Sequence, residues 1–510
     1  MASRTKRALW GVSADIFWTA AGSLSGLIAT PIILSFLPKA LYGFWIAALS
    51  VLGYLGMLDL SIGMALTHFV ARLSSTHESE SFEQVVNTAF FSFLILGVLV
   101  FGLGWSLSGF IPKWFHIPPK DSPSVILAFR IIVVGFAISL PLSTFGGMIK
   151  GSQRMAVQTT IARSVGLAGI VLSILLLYLG FGLSALALSQ IFSVVIGGLI
   201  SYLFCKHRYF PGIRISIFSI SRKFTKSLWT FGGYFQFGRI ANTISLSTDA
   251  ILIAVLLGAS AVPTYSFTSK LVMLVGASLI SKVPIALFPA LSQMYSTGET
   301  AKIRGCFVRL SALSIRIAVV FGVFLFIANR EFINLWVGSD FYGGDILNIV
   351  FISWLLIDSL HRGTGVVIQA SGNLRNWSIM CMIEALLNIG FSLALAIPLG
   401  LIGIALGTTI SRTLSCFYII WLVCQQTQFS IGSFITRGLL FPVIRSLPSC
   451  CAIVILGFLI PRREGWLWLF IIVFGGFLVN IFSFEGIGVL RHPGTPVKER
   501  IRYVFALRPM

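Results

Sequence analysis

Runs of about 20 mostly apolar residues recur from one end of the chain to the other, with short polar gaps between them. Hydrocarbon offers peptide groups no partner, so each run must satisfy its own backbone and is read as a helix. The pattern predicts about fourteen spanning helices, near 11–37, 41–70, 84–110, 125–148, 158–179, 182–205, 229–257, 262–294, 307–329, 345–369, 376–398, 401–425, 436–460 and 465–485. No gap is long enough for a soluble domain. The expected fold class is all-α integral membrane. The first run, behind Arg4, Lys6 and Arg7, imitates a signal peptide with Thr19-Ala20-Ala21-Gly22 as its cleavage site. Asp15 and continuation past Leu37 favour an uncleaved span instead.

Composition agrees with lipid as the main solvent: 56% of the 510 residues are hydrophobic and 10% charged, against about 25% charged in a soluble domain. A formal charge of +21 would suggest nucleic acid in a soluble protein. Here topology accounts for most of it, because Lys and Arg collect in cytoplasmic loops. With the N-terminus inside, about 21 basic loop residues fall on the cytoplasmic side and about 6 outside. Both termini are then cytoplasmic and nucleic acid is not an expected partner. The seven cysteines lack metal-ligand or disulfide-framework spacing and read as packing residues.

Comparing the two halves at a shift of about 220 residues gives four matches in the same order, the mark of a duplicated unit. Leu37 to Phe44 answers Gly258 to Tyr265, and Phe110-Ile111-Pro112-Lys113-Trp114 answers Phe332-Ile333-Asn334-Leu335-Trp336. Lys150-Gly151-Ser152-Gln153 answers Gln369-Ala370-Ser371-Gly372, and Gly182-Leu183 answers Gly400-Leu401. Repeats with an even number of helices relate by an axis along the membrane normal and enclose a cleft near the midplane. The expected organisation is a six-helix bundle over 1–205, a basic linker over 206–228, and a second bundle over 229–425. An added helix pair over 426–485 and a basic tail over 486–510 complete it. The linker carries Lys206, Arg208, Arg214, Arg222, Lys223 and Lys226, and the tail should lie on the anionic leaflet.

Charges inside the spans point to function, since each costs about 2.5 to 3.5 kcal/mol at the centre of a lipid-facing helix. The bases are Arg130, Arg163, Arg239, Lys270, Lys282, Arg309, Arg316, Arg362, Arg412 and Arg445, and the acids are Asp15, Asp59, Asp249, Asp358 and Glu384. Those that cannot snorkel must face protein or water. Gln236, Arg239, Thr243 and Ser247 form one polar stripe, Arg309 and Arg316 share a face, and so do Thr408, Arg412 and Ser415. Asp358 and Arg362 read as an i, i+4 ion pair with His361 as a hydrogen-bonding neighbour. Glu384 with Asn388 reads either as a site for a coupling cation or as part of an interhelical ion pair. Asp249 would neutralise a nearby cation. The remaining positive excess would favour an anionic ligand such as phosphate or pyrophosphate.

The segment Tyr54 to Leu66 (YLGMLDLSIGMAL), followed by Phe69-Val70-Ala71, resembles the second helix of the polysaccharide transporter family, as does Leu41-Tyr42-Gly43-Phe44-Trp45. That family includes O-antigen and other lipid-linked oligosaccharide flippases. It lies in the superfamily of multidrug and toxic compound extruders and lipid II flippases. Ser61 stands where many relatives have Gly. The resemblance implies a flippase carrying an undecaprenyl-pyrophosphate-linked oligosaccharide across a bacterial inner membrane by alternating access. Its partners would be the polyprenyl-linked glycan, membrane lipids and other glycan-assembly proteins. No cofactor or metal is expected, and a coupling ion, Na+ or H+, is left open. Arg239, Lys270, Lys282, Arg316 and Arg412 are the candidate pyrophosphate ligands. Asp59, Asp249, Arg163 and Glu384 are the secondary or gating candidates. The rivals are a cation-coupled multidrug exporter, which should line its cleft with acids, and an integral-membrane glycosyltransferase or polymerase. The latter needs a catalytic set near the interface, and the longest external loop, 111–124, offers only Lys113, His116, Lys120 and Asp121.

Overall fold

A computed structural model describes residues 4–76, 79–212, 214–230, 233–276, 280–459, 465–471 and 474. The side chains of Asp15, Asp59, Gln236 and Arg239 and the tail 486–510 lie outside the described residues. The regular elements are helical throughout the described residues. The first are α1 (Arg4–Phe36), α2 (Lys39–Leu55), α3 (Met57–Thr76), α4 (Ser79–Leu107), α5 (Ile111–Trp114), α6 (Ser122–Gly151), α7 (Met155–Tyr178) and α8 (Leu183–Phe204). Then come α9 (Arg222–Thr230), α10 (Gly233–Leu256), α11 (Ala261–Thr268), α12 (Lys270–Val275) and α13 (Lys282–Ser296). The last are α14 (Thr300–Trp336), α15 (Asp345–Ala370), α16 (Leu374–Thr427), α17 (Ile431–Phe434) and α18 (Phe441–Leu459). Among the described residues nine helices are long and apolar enough to span a membrane, and Lys39–Leu55, Ile62–Leu73 and Thr243–Leu256 are shorter apolar helices. The span expected at 465–485 is described only at its start.

Two expected helices depart from single rods, and two others adjoin at a single residue. The run 41–70 is interrupted by a turn at Gly56 between α2 and α3. The two runs 376–398 and 401–425 are continuous in α16 except at Gly400, whose φ of 59° and ψ of −133° fold one limb back on the other. The run 262–294 is broken into α11, α12 and α13. The Ser281 amide donates to the Gly276 carbonyl at 3.1 Å, a wider turn than an α-helix makes, and Pro284 just beyond it has no amide to donate to the preceding turn.

The chain divides into two compact units, 1–263 and 264–510. In the first, α6 packs on α4 and α8, α7 on α8 and α1, and α3 on α4 and α6, while α10 lies against α2. Ile62, Leu66, Val70, Phe93, Phe145 and Met148 form its core. In the second, α15 packs on α14 and α16, and α14 on α18. Its core includes Phe307, Leu310, Val367, Ile419 and Phe434, with the Phe307 and Phe434 rings stacked at 4.5 Å. Lipid tails are as apolar as these side chains, so close fit rather than escape from water holds the helices together.

The proposed sequence repeat has counterparts in local conformation. Phe110 stacks on Trp114 at 5.9 Å and 22°, and Phe332 on Trp336 at 5.3 Å and 27°. Two residues further on in each half, His116 and Gly338 both have positive φ. Gln153 and Gly372 repeat this after the fourth helix, each one residue past a serine whose hydroxyl donates to the carbonyl three residues back at 2.8 Å. Gly182, with φ 53° and ψ −134°, adopts the conformation of Gly400.

Gly43 shows how tightly the first unit closes. A Cβ built on it would stand 1.8 Å from the backbone oxygen of Ala259, an atom that cannot swing away. Gly26 in α1 has open space around the same position. Gly43→Ala should therefore lose about 1–3 kcal/mol or more and lower the thermal unfolding midpoint in detergent, whereas Gly26→Ala should leave it nearly unchanged.

Candidate functional site

The second unit holds a buried cluster of charges drawn from three helical segments. One turn of α15 puts Asp358, His361 and Arg362 on neighbouring positions. The fold-back at Gly400 then sets the limb bearing Glu384 beside the limb bearing Arg412. Small residues let the limbs touch: a Cβ on Gly403 would lie 1.9 Å from the Leu395 carbonyl oxygen.

Arg412 is the hub of the cluster and only 5% exposed. Its Nη1 lies 3.1 Å from Glu384 Oε1 and 3.2 Å from His361 Nδ1, and its Nε lies 3.6 Å from Asp358 Oδ1. Asp358 receives a second cation, since Arg362 Nε donates to its Oδ2 at 2.5 Å. A guanidinium can only donate, so His361 Nδ1 accepts and the ring proton is assigned to Nε2. That nitrogen lies 3.4 Å from Glu384 Oε2 and 3.1 Å from the Ser415 hydroxyl. With the imidazole neutral, two carboxylates face two guanidinium groups and the cluster balances. The indole of Trp377 covers the imidazole with ring centroids 5.6 Å apart.

Two extensions join the cluster to its surroundings. Toward the fold-back, Asn388 donates to Thr408 at 3.4 Å and accepts from Ser392 at 3.2 Å. On the other side, the end of α12 approaches, and a Cβ on Gly276 would come within 3.7 Å of Asp358 Oδ2. The break in the 262–294 run thus lies beside the most buried carboxylate. Of the two readings for Glu384, the geometry has the interhelical ion pair. The arrangement acts as an electrostatic clamp between α15 and the α16 hairpin, and the described residues hold no group of three or more metal-ligating side chains suited to an ion.

The other sequence candidates are distributed more widely. Arg412, expected to hold ligand, is instead enclosed between Glu384 and Asp358. Lys270 begins α12 and Lys282 begins α13, so the two exposed lysines flank the broken segment. Arg316 is half-buried on α14. Arg163 is exposed on α7, and Asp249 is buried on α10. The side chains of Arg239 and Asp59 lie outside the described residues. Part of the expected stripe on α10 faces a helix: Ser247 lies against Gly53 of α2, and next to it Thr248 hydrogen-bonds Tyr54. His361 as a connector to Glu384 was not legible, because i, i+4 spacing reveals partners only within one helix.

Residues 12–295 match the family described as "Polysaccharide biosynthesis protein". The chain is 23% identical over 418 residues to the "Putative O-antigen transporter" of Shigella flexneri, covering 78% of this chain and 94% of that protein. It is 22% identical over 393 residues to the "Uncharacterized membrane protein EpsK" of Bacillus subtilis, covering 76% of each. Its fold is similar to the inward-facing structure of a multidrug resistance MATE family transporter of the MOP superfamily. The TM-score is 0.67 at 16% identity, over 80% of this chain and 94% of that one. A MOP superfamily transporter from Pyrococcus furiosus, described as having a binding pocket of reverse polarity, matches with a TM-score of 0.59 at 16% identity. That match covers 83% of this chain and 96% of the other.

Removing one member of the clamp strands a buried charge, which typically costs about 3–5 kcal/mol. Arg412→Gln should therefore lower the unfolding midpoint sharply. Adding Glu384→Gln should restore much of the loss, because Asp358 keeps Arg362. A double variant no more stable than Arg412→Gln would refute the pairing.

Proposed function

The chain belongs to the polysaccharide biosynthesis protein family, and from that premise we propose that it is a transporter of the MOP superfamily that flips a lipid-linked oligosaccharide. The cargo is an undecaprenyl-pyrophosphate-linked O-antigen, capsule or exopolysaccharide unit. It moves across a bacterial inner membrane by alternating access, with both termini of the protein cytoplasmic. The observation that carries this reading is charge balance. Asp358 and Glu384 are matched by Arg362 and Arg412. Outside that cluster, the spans set Arg130, Arg163, Arg239, Lys270, Lys282, Arg309, Arg316 and Arg445 against Asp15, Asp59 and Asp249. A water-filled path with that excess attracts anions.

Pyrophosphate suits such a path, since Arg and Lys bind phosphate oxygens through charge-assisted hydrogen bonds. The polyprenyl tail can remain in lipid while the head group crosses. The segment α11–α13 adds support, because substrate sites in secondary transporters are often built from discontinuous helices, and here Lys270 and Lys282 stand on either side of the break. Arg412 is left out of the ligand set in this mechanism and holds the second unit together. Arg239, Lys270, Lys282 and Arg316 remain its candidate ligands, and the glycan-assembly enzymes are its functional partners. A multidrug exporter of the same superfamily is the second reading, favoured by the likeness of fold to the MATE structures. A basic interior would repel the cationic cargo of such a protein.

Lys270→Gln, Arg239→Gln and Arg316→Gln should each reduce surface glycan display by about tenfold or more, the loss expected for a hydrogen bond to a charged group. Display is read by gel analysis of the extracted glycan, alongside a membrane-insertion control. Normal display from a stably inserted triple variant would remove the cationic path from consideration.

A further inference from the structure

The segment joining α8 to α9 is held in a fixed shape that turns its apolar side chains outward. Asn87, fully buried in α4, reads it as a neighbouring strand would: its Nδ2 donates to the Arg214 carbonyl at 3.0 Å and its Oδ1 accepts from the Ser216 amide at 2.7 Å. At the next residue of α4, the Thr88 hydroxyl accepts from the Ser221 amide at 3.0 Å. The Ser219 hydroxyl reaches Glu83 at 3.5 Å, and the Phe210 ring packs on Phe82 at 4.8 Å. Buried polar groups of α4 thus hold both ends of a short loop.

Between the holding points, the turn at 217–219 presents Phe218, which is 97% exposed, with Ile217 at 58% and Ile215 and Ile220 beside it. Arg214, Arg222, Lys223 and Lys226, which flank these residues in the chain, are exposed as well. No Asp or Glu falls between Lys206 and Thr230. A loop fixed by buried hydrogen bonds has no need to expose a phenyl ring to water. Exposed apolar side chains flanked by exposed bases are the chemistry of a segment lying in an anionic lipid interface. The loop also follows directly on α8, which is long and apolar enough to span a membrane, so a bilayer surface is within reach.

We infer that residues 214–226 form a membrane-interface anchor that binds anionic phospholipid head groups through Arg214, Arg222 and Lys223, while Ile217 and Phe218 enter the acyl boundary. The anchor fixes the depth of α4 and α8 relative to the bilayer surface. Under the orientation proposed above it faces the cytoplasmic leaflet, but lipid binding itself does not depend on what the chain transports.

The test is a nitroxide at Phe218→Cys in the full chain, with the exposed Cys451 changed to Ser, reconstituted in nanodiscs. A side chain this exposed can be replaced without disturbing the fold. In phosphatidylglycerol discs the label should be reached by oxygen more than by a water-soluble nickel chelate, and in phosphatidylcholine discs the preference should reverse. Substituting Arg214, Arg222 and Lys223 by Gln should reduce immersion in the anionic discs, by about fivefold in partition ratio for each base. A label open to the nickel chelate in phosphatidylglycerol overturns the inference. Equal immersion in both lipids overturns it as well, because the bases then have no role. Immersion only when undecaprenyl pyrophosphate is added to phosphatidylcholine overturns it in favour of the transported lipid. Since no transport is measured, failure here leaves the flippase reading standing, and failure of glycan display leaves this result standing.

Discussion

Hydrocarbon cannot solvate a lone charge or an open peptide group, and that constraint is concentrated at Arg412. The guanidinium lies between Glu384 and Asp358, and Arg362 supplies the second cation that Asp358 requires. Meeting it depends on the backbone. The two limbs of α16 must run side by side, which Gly400 permits by its conformation and Gly403 by its lack of a side chain. Ion pairs of this kind add little net stability over an apolar core, but breaking one by removing a single partner strands a buried charge. In this unit they join α15 to the hairpin and leave the broken segment after α12 beside Asp358.

The two units share their punctuation more than their interiors. Matching positive-φ residues, stacked Phe and Trp pairs and serine-capped helix ends recur in the same order in both. Measured from Gly182 and Gly400, however, Arg412 falls opposite Val194. The buried charge cluster is thus a feature of the second unit, added to a common framework of turns.

Intramembrane bases that look alike in the sequence differ in their surroundings. Arg362 and Arg412 are matched to acids and serve structure. Lys270 and Lys282, exposed on either side of a helix break, belong to another class. The cationic path proposed for a pyrophosphate head group draws on the latter class, and the lipid anchor proposed for the basic loop held by Asn87 would be a third use of positive charge.

By itself the sequence determined the class of protein, the places of most helices and the family, because apolar run length, turn residues and short motifs are local properties. Even the i, i+4 pair of Asp358 and Arg362 was legible on those terms. Only the tertiary structure decided that Arg412 is enclosed by Glu384 and Asp358, that His361 bridges to Glu384, and that Asn87 holds a loop more than a hundred residues away. Pairing of charges across helices depends on which faces meet. That follows from backbone fit at glycines such as Gly43 and Gly403, whose contacts come from elsewhere in the chain and leave no mark in the local pattern.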